Sequence, residues 1–241
     1  MKSLGSPEPL GPLNTGAPFT PPSQLRRKLA RSISLLVALG LCGPLHAAGQ
    51  SSTKLAKSTG GGPILVLGDS LSAEYGLARG SGWVALLQAR LSRQAPHYSV
   101  VNASISGETT SGGLSRIAAL LSRHQPAIVL VELGGNDALR GLDLAATENN
   151  LRQIVRQSRH SGARVALLGM QVPPNYGKRY ADWFAAMFPR IASSEGAALV
   201  PFLLEHVAER GDYFQADRIH PTVAAQPLML DNVWPVLRQL L

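Results

Sequence analysis

Ala127-Ile128-Val129-Leu130-Val131-Glu132-Leu133, followed at once by Gly134-Gly135-Asn136-Asp137, decides how the chain folds. A run of leucine and β-branched residues without polar alternation suits a strand buried on both faces. The polar tetrapeptide ends it. The same pattern recurs outward from there. Ile64–Leu67 ends in Gly68-Asp69-Ser70, and Tyr98–Val101 leads to Ser104–Thr109. Arg164–Leu168 leads to Val172–Gly177, and Leu199–Leu203 precedes Asp217–His220. Between these runs, apolar residues repeat at three and four positions, the period of a helix. Helices are predicted over Trp83–Arg93 (Val84, Leu87, Leu91) and Ser111–His124 (Leu114, Ile117, Ala118, Leu121). Two more are predicted over about Leu144–His160 (Leu151, Ile154, Val155) and about Arg179–Ser194. A last helix starts near Thr222, where Pro227 and Pro235 are expected to kink or split it. Five apolar strands alternating with helices imply an α/β fold, a five-stranded parallel sheet flanked by helices on both faces. Right-handed crossovers then put ligands beyond the carboxyl ends of the strands, where the unusual polar residues all fall.

Composition narrows the function. The 241 residues are 45% hydrophobic and 16% charged, which excludes a disordered chain, and no run of about 20 apolar residues is present to span a bilayer. The single cysteine, Cys42, excludes a disulfide scaffold and any multi-cysteine zinc site. Half of the +8 net charge lies in residues 1–48, where Lys2, Arg26, Arg27, Lys28 and Arg31 face only Glu8. The remainder is scattered and gives no support to nucleic-acid binding.

Residues 1–48 read as a leader. Residues 1–24 are rich in Pro and Gly. The basic Arg26–Arg31 segment, the apolar Ile33–Leu45 stretch and the small Ala47-Ala48-Gly49 exit are the parts of a secretory signal. Either Leu45 or His46 occupies the −3 position of that exit. A periplasmic or secreted location is therefore expected. Residues 49–62, with Ser51-Ser52-Thr53 and Gly60-Gly61-Gly62, read as a flexible linker, and residues 63–241 as one domain.

Four segments carry chemistry. Ser70 sits on the turn after the first strand. A serine hydroxyl needs a base to take its proton and donors to hold the oxyanion it creates. By itself Ser70 reads equally well as a helix cap. Asp217 and His220 supply the base, because a carboxylate three residues before an imidazole reaches its Nδ1 and fixes the tautomer. Gly107 and Asn136 can supply donors beside the Ser70 N–H, although each segment alone also reads as a turn. A metal reading has only two ligands and no His-Glu-x-x-His. No Gly-x-Ser-x-Gly elbow, Gly-x-Gly-x-x-Gly or P-loop occurs, so no cofactor is expected.

Gly68-Asp69-Ser70-Leu71-Ser72, Ser106-Gly107-Glu108, Gly134-Gly135-Asn136-Asp137 and Asp217-x-x-His220 resemble the four blocks of the SGNH (GDSL) hydrolases. Val101–Gly107, Val131–Asp137 and Asn175–Tyr180 resemble more closely the bacterial periplasmic thioesterase I, lysophospholipase and arylesterase group. The resemblance runs from Pro63 to Leu241. It implies a three-layer flavodoxin-like fold. It implies Ser70 as nucleophile, His220 as base, Asp217 as its partner, and Ser70, Gly107 and Asn136 as oxyanion donors. The implied activity is hydrolysis of carboxylic esters and thioesters of acyl chains, by a monomer acting on a small-molecule substrate. A carbohydrate O-acetyl esterase of the same fold, or a binding protein without catalysis, is the alternative. Leu71 and Tyr176 are the candidate substrate-binding residues. Val172–Gly177 and Gly76–Gly82 are expected to rim an acyl groove.

Overall fold

The computed structural model describes residues 60–241. The leader at 1–48 and nearly all of the linker at 49–62 lie outside the described residues. Five strands are present: β1 (Gly62–Gly68), β2 (Tyr98–Asn102), β3 (Ile128–Glu132), β4 (Arg164–Leu168) and β5 (Ala198–Val200). The helices are α1 (Trp83–Gln94), α2 (Thr110–His124), α3 (Gly135–Leu139), α4 (Leu144–His160), α5 (Lys178–Glu195) and α6 (Gln226–Arg238). All neighbouring strands pair in parallel, in the order β2-β1-β3-β4-β5. In this doubly wound order the chain reverses direction between β1 and β3, and the crevice at that point is where such sheets bind ligands.

The apolar runs explain the layering. Ile64–Leu67 and Ile128–Val131 are wholly buried, because helices cover the sheet on both faces. The helix α1 packs against α6, whereas α2, α4 and α5 form the other layer. Each presents the predicted stripe, such as Leu151, Ile154 and Val155 of α4. Burying each of these side chains stabilises the fold by roughly 1.5–3 kcal/mol.

Three expectations need correction. The fifth strand is shorter than Leu199–Leu203. Pro201 follows Val200 and has no N–H to extend the ladder, so the chain turns, and Leu203 instead donates its N–H to the Gly169 carbonyl at 2.9 Å. The last helix begins at Gln226 and is not split at either proline. Pro227 lies in its first turn, where no N–H is needed. Pro235 does lose a hydrogen bond. The helix nevertheless continues through it, held by the buried Met229, Leu230, Val233 and Leu237. Finally, Gly135–Leu139 is a short helix rather than a bare turn.

Candidate active site

The turn that carries Ser70 hangs from β1. Ser72 and Ala73 donate their N–H groups to the Asp69 carbonyl, and Leu71 N–H reaches Asp69 Oδ1 at 3.0 Å. Ser70 is thus carried on a tight turn at the strand end. It caps no helix, since α1 starts only at Trp83 behind Gly82.

Asp217, Arg218, Ile219 and His220 form a second turn on the long segment after β5. Asp217 Oδ1 accepts the N–H groups of Ile219 and His220 at 2.9 and 3.0 Å, while its Oδ2 lies 2.7 Å from His220 Nδ1. Arg218 takes a left-handed conformation (φ 58°), which lets the chain fold back around the carboxylate. The backbone N–H of His220, its side chain and the N–H of Ile219 together pull the Asp217 carboxyl down to about 2. The carboxylate therefore stays charged and holds the imidazole with Nδ1 protonated. The bare nitrogen, Nε2, lies 2.9 Å from Ser70 Oγ. The ring of Tyr75 covers the imidazole at 4.3 Å between centroids.

The expected oxyanion donors sit on neighbouring loops. Gly107 has φ 79°, a conformation that suits glycine, and neither its N–H nor that of Ser70 is taken up by a hydrogen bond among the described residues. Asn136 donates from Nδ2 to Asp69 Oδ2 at 2.9 Å, which leaves the second hydrogen of that amide free. The Arg140 guanidinium ties the two loops together: its Nη2 donates to the Gly107 carbonyl at 3.0 Å and to Asn136 Oδ1 at 3.4 Å. Asp137 makes a second tie, accepting from the Thr110 N–H at 2.9 Å and from its hydroxyl at 2.6 Å. Such a set can deprotonate a serine and stabilise negative charge on a carbonyl oxygen.

A cavity of about 710 Å³ opens beside the Asn136 donor. Leu71, Leu139, Met170, Val172, Phe202 and Ile219 are among its walls. Leu71 lines this cavity, as do Val172 and Pro173. Tyr176 stands outside the lining. Its hydroxyl instead donates to the Leu139 carbonyl at 3.3 Å, so it braces a wall residue. The Gly76–Gly82 segment also lies outside the lining; there Glu74 binds the N–H groups of Gly80 and Gly82. Among the described residues, no group of three His, Cys, Asp or Glu side chains is placed to hold a metal ion.

Sequence reasoning assigned no role to Arg140, Tyr75, Asp69 or Glu132. Asp69 lies within the Gly68–Ser72 block, and a charged residue ending a buried strand is the signal for Glu132. Nothing in the sequence marks Arg140 or Tyr75, whose partners lie 33 and 145 positions away.

Residues 66–227 match the GDSL-like Lipase/Acylhydrolase family. The chain is 53% identical over 178 residues to esterase TesA of Pseudomonas aeruginosa, covering 74% of this chain and 89% of the relative. It is 41% identical to an arylesterase of Vibrio mimicus, covering 82% and 94%. It is 45% identical to thioesterase 1/protease 1/lysophospholipase L1 of Escherichia coli K12, covering 70% and 79%. A crystal structure of TesA superposes with a TM-score of 0.73 at 52% identity, covering 74% of this chain and 99% of that one. With the four motifs gathered at one sheet edge, the chain belongs to the GDSL-like lipase/acylhydrolase family and is a hydrolase of the esterase and thioesterase kind.

Proposed function

We propose that this protein hydrolyses carboxylic esters and thioesters of acyl chains through an acyl-enzyme on Ser70. The observation that carries the reading is the unbroken line from Asp217 to His220 Nδ1 at 2.7 Å and from His220 Nε2 to Ser70 Oγ at 2.9 Å. In the first step Ser70 Oγ attacks the carbonyl carbon while its proton passes to His220 Nε2. The displaced electron pair rests on the carbonyl oxygen, which takes hydrogen bonds from the Ser70 and Gly107 N–H groups and the free Asn136 hydrogen. Collapse expels the alcohol or thiol, which takes the proton back from His220. Water then attacks the acyl-enzyme, with His220 again as base, and the acid leaves.

The apolar cavity beside Asn136 supports an acyl chain as its occupant. The names of the relatives, an esterase, an arylesterase and a thioesterase/lysophospholipase, support the same class. All the groups invoked come from one chain, which supports a monomer as the working unit. The basic, apolar and small-residue succession within 1–48 supports export to the periplasm or beyond, with 63–241 as the mature hydrolase domain. Among the described residues, no helix is long and apolar enough to cross a membrane.

The test is hydrolysis of p-nitrophenyl esters of graded length beside acyl-CoA and lysophospholipid, with covalent labelling by a fluorophosphonate. Wild-type protein should turn over these esters and take label at Ser70. Ser70→Ala should lose label and roughly 10⁴-fold or more of turnover. Full esterase activity in Ser70→Ala would refute the assignment.

A further inference from the structure

Glu132 is the last residue of β3 and is wholly buried, yet the mechanism above gives it no task. Its Oε2 accepts the Asp69 N–H at 3.2 Å and the Ser72 hydroxyl at 2.8 Å, so it grips the nucleophile turn on both sides of Ser70. Gly68 makes room for it: a Cβ there would stand 2.8 Å from Oε2. No cation pairs with Glu132 among the described residues, and its Oε1 has no hydrogen-bond partner there. An ionised carboxylate in such a place is strongly disfavoured.

The Asp69 carboxyl is its neighbour, and the Asp69 charge bears on Glu132. Two neighbouring buried carboxyls disfavour each other's charge, so one keeps its proton. The surroundings say which. Asp69 accepts on both oxygens, from Leu71 N–H and Asn136 Nδ2. Glu132 accepts on one oxygen only and faces Asp69, with no positive group to offset it. Burial and the Asp69 charge both push the Glu132 carboxyl well above its usual range, whereas Asp69 is raised only to about 6.

We propose that Glu132 is a neutral carboxylic acid in the working enzyme and a positioning residue. It accepts the Asp69 N–H and the Ser72 hydroxyl and so locks the Asp69–Ser72 turn. Through Asp69 it also fixes the Asn136 amide that receives the oxyanion. This rests on the roles assigned to Ser70 and Asn136 above. Asp69 and His220 are the titratable groups that face the pair.

Infrared difference spectroscopy at pH 8 on the full chain, wild type against Glu132→Gln, reads the proton directly. Asp69 is ionised at that pH. The wild type should therefore show the carbonyl stretch of one protonated carboxylic acid that Glu132→Gln lacks. A wild-type spectrum without that band would overturn the proposal. Kinetics read the positioning. The amide of Glu132→Gln is uncharged like the acid and offers the same acceptor oxygen to the turn, so kcat should stay within about threefold. In Glu132→Ala, with the folded fraction checked by circular dichroism, kcat should fall roughly 100-fold while KM changes less than threefold, as for loss of an oxyanion donor. A Glu132→Gln variant as impaired as Glu132→Ala would overturn the idea, because charge would then be required. A folded Glu132→Ala with full kcat would also overturn it, leaving Glu132 merely structural. If Glu132→Ala does not fold, the band and the Glu132→Gln kinetics decide. Fluorophosphonate labelling of the wild type runs alongside. Absent labelling with the band present would fault the Ser70 reading and not the protonation of Glu132.

Discussion

Asp217 gives up both carboxylate oxygens to one turn, and that turn holds the imidazole of the proposed base, His220. With its carboxyl held near 2, Asp217 is ionised throughout the ordinary aspartate range and above, so it adds no acid limb of its own to the rate profile there. Asp217→Asn keeps the shape but offers an amide that can present its NH₂ to Nδ1, favouring the wrong tautomer. A fall of roughly 10⁴-fold in kcat is expected from steady-state ester hydrolysis. Asn136→Ala should cost about 10²–10³ in kcat with little change in KM. At this scale the Asp217–His220 pair was legible because its spacing is local, three residues, whereas Ser70, 150 positions from His220, was legible only through its motif. Arg140 was not legible. Its Nη2 joins Gly107 to Asn136 across two loops, and an arginine in a loop ordinarily signals only a solvated surface.

At the scale of elements, the loops after β3, β4 and β5 divide the labour that the sequence had pooled. The loop after β4 puts Val172 and Pro173 into the cavity wall and turns Tyr176 away to brace Leu139. A Pro-Pro-Asn-Tyr-Gly string shows that a shaped loop exists, but not which of its side chains points inward. Each methylene that the cavity receives should be worth about 0.8 kcal/mol, or roughly fourfold in kcat/KM, until the space is filled. Val172→Trp, by filling it, should move the plateau to shorter chains across a series of p-nitrophenyl esters. Tyr176→Ala should leave the profile's shape intact and lower all rates together by less than about threefold. The strands were legible for a different reason. A strand buried on both faces has no solvent side and must read as an unbroken apolar run, as Ile128–Val131 does. The course of α6 was not, because a proline's local cost is visible in sequence while the tertiary packing of Met229, Leu230, Val233 and Leu237 that overrides it is not.

For the whole molecule, the site and the stability of the fold pull in opposite directions. Asp69 is raised to about 6 in the folded chain, chiefly by burial, against the ordinary 3.8 of an exposed aspartate. Between those two values the folded chain binds more protons than the unfolded one, so stability falls as pH rises through that window. Below about pH 4 the carboxyl is neutral in both states and carries no penalty. Above about pH 6 it is ionised in both, and burying the charge costs on the order of 3 kcal/mol. Asp217 has the opposite sign: its stabilising contribution is present above the ordinary aspartate range and is lost only as pH falls toward about 2. An Asp69→Asn variant cannot ionise. Denaturant unfolding of the two proteins at pH 4, 6 and 8 should therefore show the variant gaining on the wild type as pH rises, by about 3 kcal/mol at most. Its kcat should fall at the same time, since Asn136 loses the carboxylate that orients its amide. A stability difference that stays flat from pH 4 to pH 8 would mean that Asp69 is not buried as a charge, and the tension between the site and the fold would have to lie elsewhere.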